Sequence, residues 1–193
     1  MTLNTIFPVI YTIESIDLPS SGVDYEVGPT GLDYMTPYRI TVDETLSYTL
    51  GIHSSDTSPG LVTDIITAPN PWQLCIIEQG DLYVCDVRYP QSFAKIDELY
   101  DGIVAIKPIV DQGIILFITH IGMLALDSTG VRWKTERIAL DGITVEGITV
   151  EGITDDWVNC RPQSEMEYGT FDVNLLTGEI RRSEDNKRVL RLL

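Results

Sequence analysis

The stretch MLALDSTGVRWKT, residues 123–135, has the pattern of two short strands joined by a tight turn. An apolar run ends at Asp127, Gly130 can supply the positive φ that a short turn needs, and a second strand-like run follows. The preceding residues 114–120 are β-branched and apolar, which is also typical of a strand. This part of the chain therefore predicts consecutive antiparallel strands.

A related pattern recurs along the chain at intervals of about 40 residues. GDLYVCD at 80–86 and GMLALD at 122–127 both end in aspartate, and YGTFDVN at 168–174 follows about as far on. A period of about 40–45 residues with several strands per unit is typical of a β-propeller blade. The spacing thus predicts one small sheet per repeat.

Residues 123–135 resemble the blade motif of the pyrroloquinoline-quinone-type propeller repeats, in which a strand ending in ALD leads through a glycine turn to a strand with tryptophan. Residues 171–179 resemble the same motif without the tryptophan, and the resemblance covers at most residues 72–182. It implies antiparallel four-stranded sheets, not the cofactor. At about 42 residues per blade the chain has room for four blades at most. We therefore expect a mainly β fold of antiparallel blade-like sheets in an open stack or a twisted sandwich, with at most one or two short helices.

The chain is expected to form a single domain over residues 1–193. Residues 1–60 show no blade motif and are predicted to be an irregular N-terminal β part, residues 61–182 to form the blade-like hairpins, and residues 183–193 to be a basic C-terminal tail. The one helix predicted lies over residues 90–100, where Phe93, Ile96 and Leu99 would share a face.

Two hairpins outside the central motif can be predicted from alternation and turn residues. Residues 38–42 and 45–52 should pair around Asp43-Glu44, and residues 72–78 should pair with 82–87 around a glycine turn. Residues 18–37 are rich in proline, glycine and serine, which indicates loop or irregular structure.

Residues 142–154 read GITVEGITVEGIT, a unit of five residues repeated twice and a part. Strand side chains alternate with a period of two, so an insertion of odd length reverses the two faces. We therefore predict a bulge or kink at Gly147, or a protruding hairpin. The nearby carboxylates would form an exposed acidic edge. They would either bind a partner or only stay solvated and keep the edge strand from pairing with another chain. These candidate partner-binding residues are Glu146, Glu151, Asp155 and Asp156.

The formal net charge of the chain is −16, and the acidic residues are unevenly placed. Residues 1–87 carry twelve acidic side chains and only Arg39 as a base, and residues 138–180 carry nine with only Arg161. Such a charge repels phosphate backbones and anionic lipids, so we expect no nucleic-acid or membrane partner. No apolar run reaches the ~20 residues of a membrane helix.

The sequence predicts no catalytic, cofactor-binding or metal-ligating residue. The three cysteines form no C-x-x-C pair, the two histidines are far apart, and no phosphate-binding, dinucleotide-binding or serine-hydrolase motif occurs. The odd cysteine count suits a reducing compartment, and the N-terminus has no basic segment typical of a signal peptide, so we expect a cytoplasmic protein.

These features favour a binding module over an enzyme. The leading hypothesis is a soluble acidic protein that binds a basic protein partner, for example as an immunity protein or an inhibitor. Two alternatives remain open at this point. One is a small enzyme with a carboxylate pair in a cleft at the end of a sheet, and the other is a subunit of a larger β assembly.

Overall fold

The fold is described by a computed structural model of the chain. The described residues are 3–29, 34–54, 59–96, 99, 101–138, 143–148 (backbone only after residue 143), 156–162 and 170–182. Within these ranges the protein is mainly β, with four sheets and two 3-10 helices of three residues each. No helix in the described part could therefore cross a membrane. The expectation of a mainly β fold built from several antiparallel sheets is confirmed.

Sheet I is formed within residues 1–60, which the sequence predicted to be an irregular N-terminal β part. Its strands are β2 (Thr12–Ser15), β3 (Tyr25–Val27), β4 (Tyr34–Thr41) and β5 (Ser47–Ser54), in the order β2-β4-β5-β3. The β4–β5 hairpin confirms the predicted turn around Asp43-Glu44. The loop prediction for residues 18–37 is wrong at β3 and at the start of β4. β3 pairs in parallel with β5, a partner that its local sequence does not reveal.

Sheet II combines the first residues of the chain with a later hairpin. Its strands are β1 (Leu3–Asn4), β6 (Asp64–Thr67), β7 (Gln73–Glu78), β8 (Asp81–Asp86) and β9 (Ala94–Lys95), in chain order across the sheet. The predicted β7–β8 hairpin is confirmed. The predicted helix over residues 90–100 is wrong: a 3-10 helix covers only Pro90–Ser92, and β9 follows. Phe93 and Ile96 pack into different apolar clusters, and the Ile96 N–H donates to the Leu82 carbonyl at 2.8 Å.

Sheets III and IV each follow the chain in a simple meander. Sheet III contains β10 (Ile103–Ile109), β11 (Ile114–Thr119), β12 (Met123–Asp127) and β13 (Gly130–Lys134). Sheet IV contains β14 (Ile143–Ile148), β15 (Trp157–Pro162), β16 (Phe171–Asn174) and β17 (Ile180–Arg182). All their pairings are antiparallel.

The four sheets stack in the order I, II, III, IV through three apolar clusters. Leu50 and Ile76 join sheets I and II, and Ile77 and Phe117 join sheets II and III. The third cluster contains Leu116, Trp133, Val158 and Phe171, from sheets III and IV. Sheets II and III therefore bury both faces, whereas sheets I and IV bury one face each. The architecture is an open stack, one of the two arrangements expected.

The turn that follows a strand is capped in the same way in all four sheets. Asp127 Oδ1 accepts hydrogen bonds from the backbone N–H and the hydroxyl of Thr129 at 2.7 and 2.6 Å, and Asp43 Oδ1 accepts the same two bonds from Thr45, both at 2.7 Å. Asp86 and Asn174 accept backbone N–H groups of the turns after β8 and β16. The aspartate that marks the repeat is thus a turn cap.

Each sheet junction also has a side-chain hydrogen bond to a carbonyl in the next sheet. The accepting residue always directly follows the capping residue of that next sheet. The three bonds run from Tyr48 Oη to Val87 O at 3.1 Å, from Asn70 Nδ2 to Ser128 O at 3.0 Å, and from Trp133 Nε1 to Leu175 O at 2.6 Å. The repeat therefore organises the contacts between sheets as well as the turns within them.

The duplicated pentad begins on β14 and contains the predicted bulge. Val145 pairs with Cys160 and Gly147 pairs with Asn159, which leaves Glu146 as the extra residue. Beyond the bulge, Ile148 pairs with Val158, and Val158 and Cys160 both belong to the buried face of β15. The bulge thus compensates the odd length of the unit. Residues 149–155 lie outside the described residues.

Candidate functional site

The structure describes only part of the acidic edge predicted at the end of the pentad. Asp156 is partly exposed, and its carbonyl accepts a hydrogen bond from the Leu175 N–H at 2.6 Å. Glu146 lies at the bulge of β14, an edge strand of sheet IV, and only its backbone is described. Glu151 and Asp155 lie outside the described residues. Whether the four carboxylates form one surface therefore stays a prediction.

A second group of acidic residues lies on and around sheet I, within the described part of residues 3–54. The described part of residues 3–54 contains six carboxylates, every one of them exposed, and Arg39 as its single lysine or arginine. We call these six residues the acidic surface of sheet I: Glu14, Asp17, Asp24, Glu26, Asp43 and Glu44.

Two of these carboxylates are fixed in place by hydrogen bonds. The Asp24 carboxylate accepts the Thr49 backbone N–H and the Thr49 hydroxyl, both at 2.8 Å, and these bonds hold the Asp24 pKa below its usual value. The cap bonds from Thr45 lower the pKa of Asp43 in the same way. Both groups therefore stay ionised near neutral pH as fixed negative charges on a rigid sheet.

The apolar part of the outer face of sheet I is covered by the chain itself. Gly51 lies between the side chains of Met35 and Val23, so closely that a Cβ at Gly51 would lie 3.0 Å from Val23 Cγ2. The segment that leads from β2 to β3 thus packs over the middle of this face, and the charged residues remain at the surface. Leu18 and Tyr34 are also exposed in this part of the chain, so sheet I offers a partner charged side chains together with some apolar ones.

One contact on this surface has the form of a histidine–carboxylate pair. His53 Nε2 lies 2.9 Å from Glu26 Oε2, with 16% of the His53 side chain exposed against 59% for Glu26. The other ring nitrogen, Nδ1, is buried and has no hydrogen-bond partner in the described part. A general base needs a proton to take from a substrate or a nucleophile within reach. The pair links β3 to β5.

The described residues do not assemble the carboxylate pair that an enzyme would need. Among the acidic residues in the described ranges, Glu78 alone is buried, with 1% of its surface exposed. A shallow open cleft lies at the end of sheet III, and Glu136 supplies the one carboxylate among the described residues that line it. Within the described ranges no three histidine, cysteine or acidic side chains are placed to hold a metal ion.

All three cysteines are buried in apolar surroundings, as the sequence predicted for Cys75 and Cys85. Burial raises the pKa of Cys75 and of Cys160 to about 12 and raises that of Cys85 as well. Cys160, the most polar of the three by its sequence neighbours, has its sulfur 3.9 Å from Met123 Sδ within the cluster between sheets III and IV. None of the three is placed to act as a thiolate nucleophile near neutral pH.

We expect the folded protein to resist a thiol reagent at pH 7.5. With an aromatic disulfide reagent, less than one equivalent should react over an hour in buffer, and three should react rapidly in denaturant, because unfolding exposes every thiol. Fast release of one equivalent from the native protein would contradict the burial described here.

No family model matches the chain, and no curated protein is significantly similar to it. A functional proposal for this chain therefore depends on its own charges and surfaces.

Sequence and structure differ in where they locate the best-defined acidic surface. The sequence predicted the acidic surface at the pentad, whereas six exposed carboxylates are described on and around sheet I. The excess of acidic residues in residues 1–87 was visible, but the pairing of Asp24 with Thr49, 25 residues away, was not. A run of exposed acidic residues around alternating strands is the pattern that would have indicated this surface.

Proposed function

We propose that this protein is an acidic interaction protein that binds a basic protein partner through the acidic surface of sheet I. The observation that carries the proposal is the six-to-one excess of exposed carboxylates over lysine and arginine in the described part of residues 3–54. Surface charges of one sign raise the local concentration of a partner of opposite charge and speed its association.

The placement of these charges supports binding more than mere solubility. Glu14 lies on β2, whereas Asp24 and Glu26 lie next to and on β3, and the pairing of β2, β3, β4 and β5 holds these two segments on one sheet. Charges on a paired backbone lose little conformational freedom when a partner arrives. A lysine- and arginine-rich protein surface is the partner chemistry that fits.

The pentad carboxylates extend the proposal to a second region of the chain. Glu146, Glu151, Asp155 and Asp156 would enlarge the negative field that a basic partner meets. A cytoplasmic immunity protein or inhibitor that neutralises a basic protein is one concrete form of this function. The same charge disfavours nucleic acid, since phosphate groups would be repelled.

An enzymatic role has less support from the described residues. Acid–base catalysis by carboxylates needs two of them to converge on one substrate position. In the described part Glu78 is the one buried carboxylate, and the others whose exposure is described are half-buried or exposed on different turns and strands. We therefore do not extend the proposal to an activity.

A role as a subunit of a larger β assembly also has less support. On β15, β16 and β17 the outer face of sheet IV carries polar contacts, with Arg181 stacked 3.7 Å over the Trp157 ring and Asn159 donating to Asp172 at 2.9 Å. Strand edges are interrupted by Pro108 and by bulges in β10 and β14. Polar end faces and irregular edges are devices that limit further stacking and pairing.

We expect the purified protein to have the mass of a single chain, 21.6 kDa, in light scattering coupled to size exclusion. The mass should stay constant between low and high protein concentration, because a net charge of −16 makes copies of the chain repel one another. A concentration-dependent rise to a dimer or a larger species would favour the assembly hypothesis.

The binding proposal predicts that loss of three carboxylates on sheet I weakens partner capture. The test variant is Glu14→Gln, Asp17→Asn and Glu44→Gln, three exposed residues that make none of the hydrogen bonds described above. We expect association with the captured partner to slow by about tenfold at low salt. Exposed charges at the edge of an interface attract the partner before contact, so their loss lowers mainly the association rate constant. The measurement is affinity capture from host lysate over a salt series, followed by association kinetics with the captured protein.

The matched control removes the same charge elsewhere. Asp111→Asn, Glu136→Gln and Glu179→Gln are exposed residues of sheets III and IV and their connections, so both variants lose three negative charges. The control should bind as the wild type does. Equal losses in both variants would reduce the effect to net charge, and capture that is insensitive to salt would contradict the proposal.

A further inference from the structure

We draw no further inference here: the strongest candidate, the outer face of sheet I with Asp24, Glu26 and His53, belongs to the site already described, and nothing else in the described part of the chain marks what ligand or segment would cover it.

Discussion

Replacing Trp133 by alanine is expected to lower the free energy of unfolding by about 3–5 kcal/mol, the usual cost of removing a large buried aromatic side chain. The Trp133 ring is 8% exposed and packs in the cluster between sheets III and IV, and its Nε1 donates to the Leu175 carbonyl at 2.6 Å. The substitution removes both the packing and the hydrogen bond at one junction. Urea denaturation followed by circular dichroism measures the change.

Two companion variants separate the contributions. Trp133→Phe keeps most of the packing and loses the hydrogen bond to Leu175, so it should cost about 1–3 kcal/mol because a buried carbonyl is left without its donor. Trp157→Ala removes a tryptophan from the outer face of sheet IV and should cost clearly less than Trp133→Ala. Equal losses for the two alanine variants would show that the junction has no special part in stability.

Replacing Gly80 by alanine is expected to destabilise the protein by more than 2 kcal/mol. Gly80 has a φ of 79°, and a Cβ there would lie 2.7 Å from both the Gly102 Cα and the Ile103 N. The left-handed conformation alone costs an alanine about 1–2 kcal/mol. The contact adds to this cost because the obstructing atoms are backbone, so the β7–β8 turn or the start of sheet III must move. Thermal unfolding measures the loss.

Gly60→Ala is the matched control for this effect. Gly60 has a similar φ of 88°, but nothing lies within 4 Å of the Cβ position. It should therefore show only the conformational cost of about 1–2 kcal/mol. If the two variants were equally stable, the close approach of sheets II and III at Gly80 would have no energetic weight.

Hairpins in the middle of the chain could be predicted because the residues that specify them are close together in the sequence. The β7–β8 and β12–β13 hairpins each combine a short apolar run with a glycine whose φ is positive, Gly80 and Gly130, and both signals stand within a dozen residues. β1 and β3 could not be predicted in the same way. They are parallel edge strands whose partners, β6 and β5, lie about 60 and 25 residues further along the chain.

Sheet I shows how a repeat can escape recognition. Asp43-Glu44-Thr45 makes the same cap as Asp127-Ser128-Thr129, and Tyr48 donates to the next sheet as Trp133 does. The turn after Asp43 has no glycine, and the aromatic residue is tyrosine instead of tryptophan. The glycine and the tryptophan that identify the motif at residues 123–135 are therefore both missing from sheet I. The same hydrogen bonds are therefore formed in sheet I although the sequence motif is absent there.

For the candidate site, too, the local features could be predicted from the sequence, and those that depend on distant residues could not. The excess of acidic residues is a property of composition and was visible at once. Which carboxylates share a surface depends on strand register, as for Glu14 opposite Arg39 and Glu26 opposite Gly51. The bulge at Gly147 was predictable because the parity of strand side chains demands it.

The amino-terminal residues bind to a part of the chain that is synthesised much later. The N–H groups of Ile6 and Phe7 both donate to the Thr67 hydroxyl, at 2.9 and 2.8 Å, and Phe7 is buried between sheets II and III. During translation Phe7 stays exposed to water until its partners are synthesised. Thr67 follows some sixty residues later, and sheet III follows after that. Docking of Ile6 and Phe7 can therefore be completed only after the strands of sheets II and III are available to receive them.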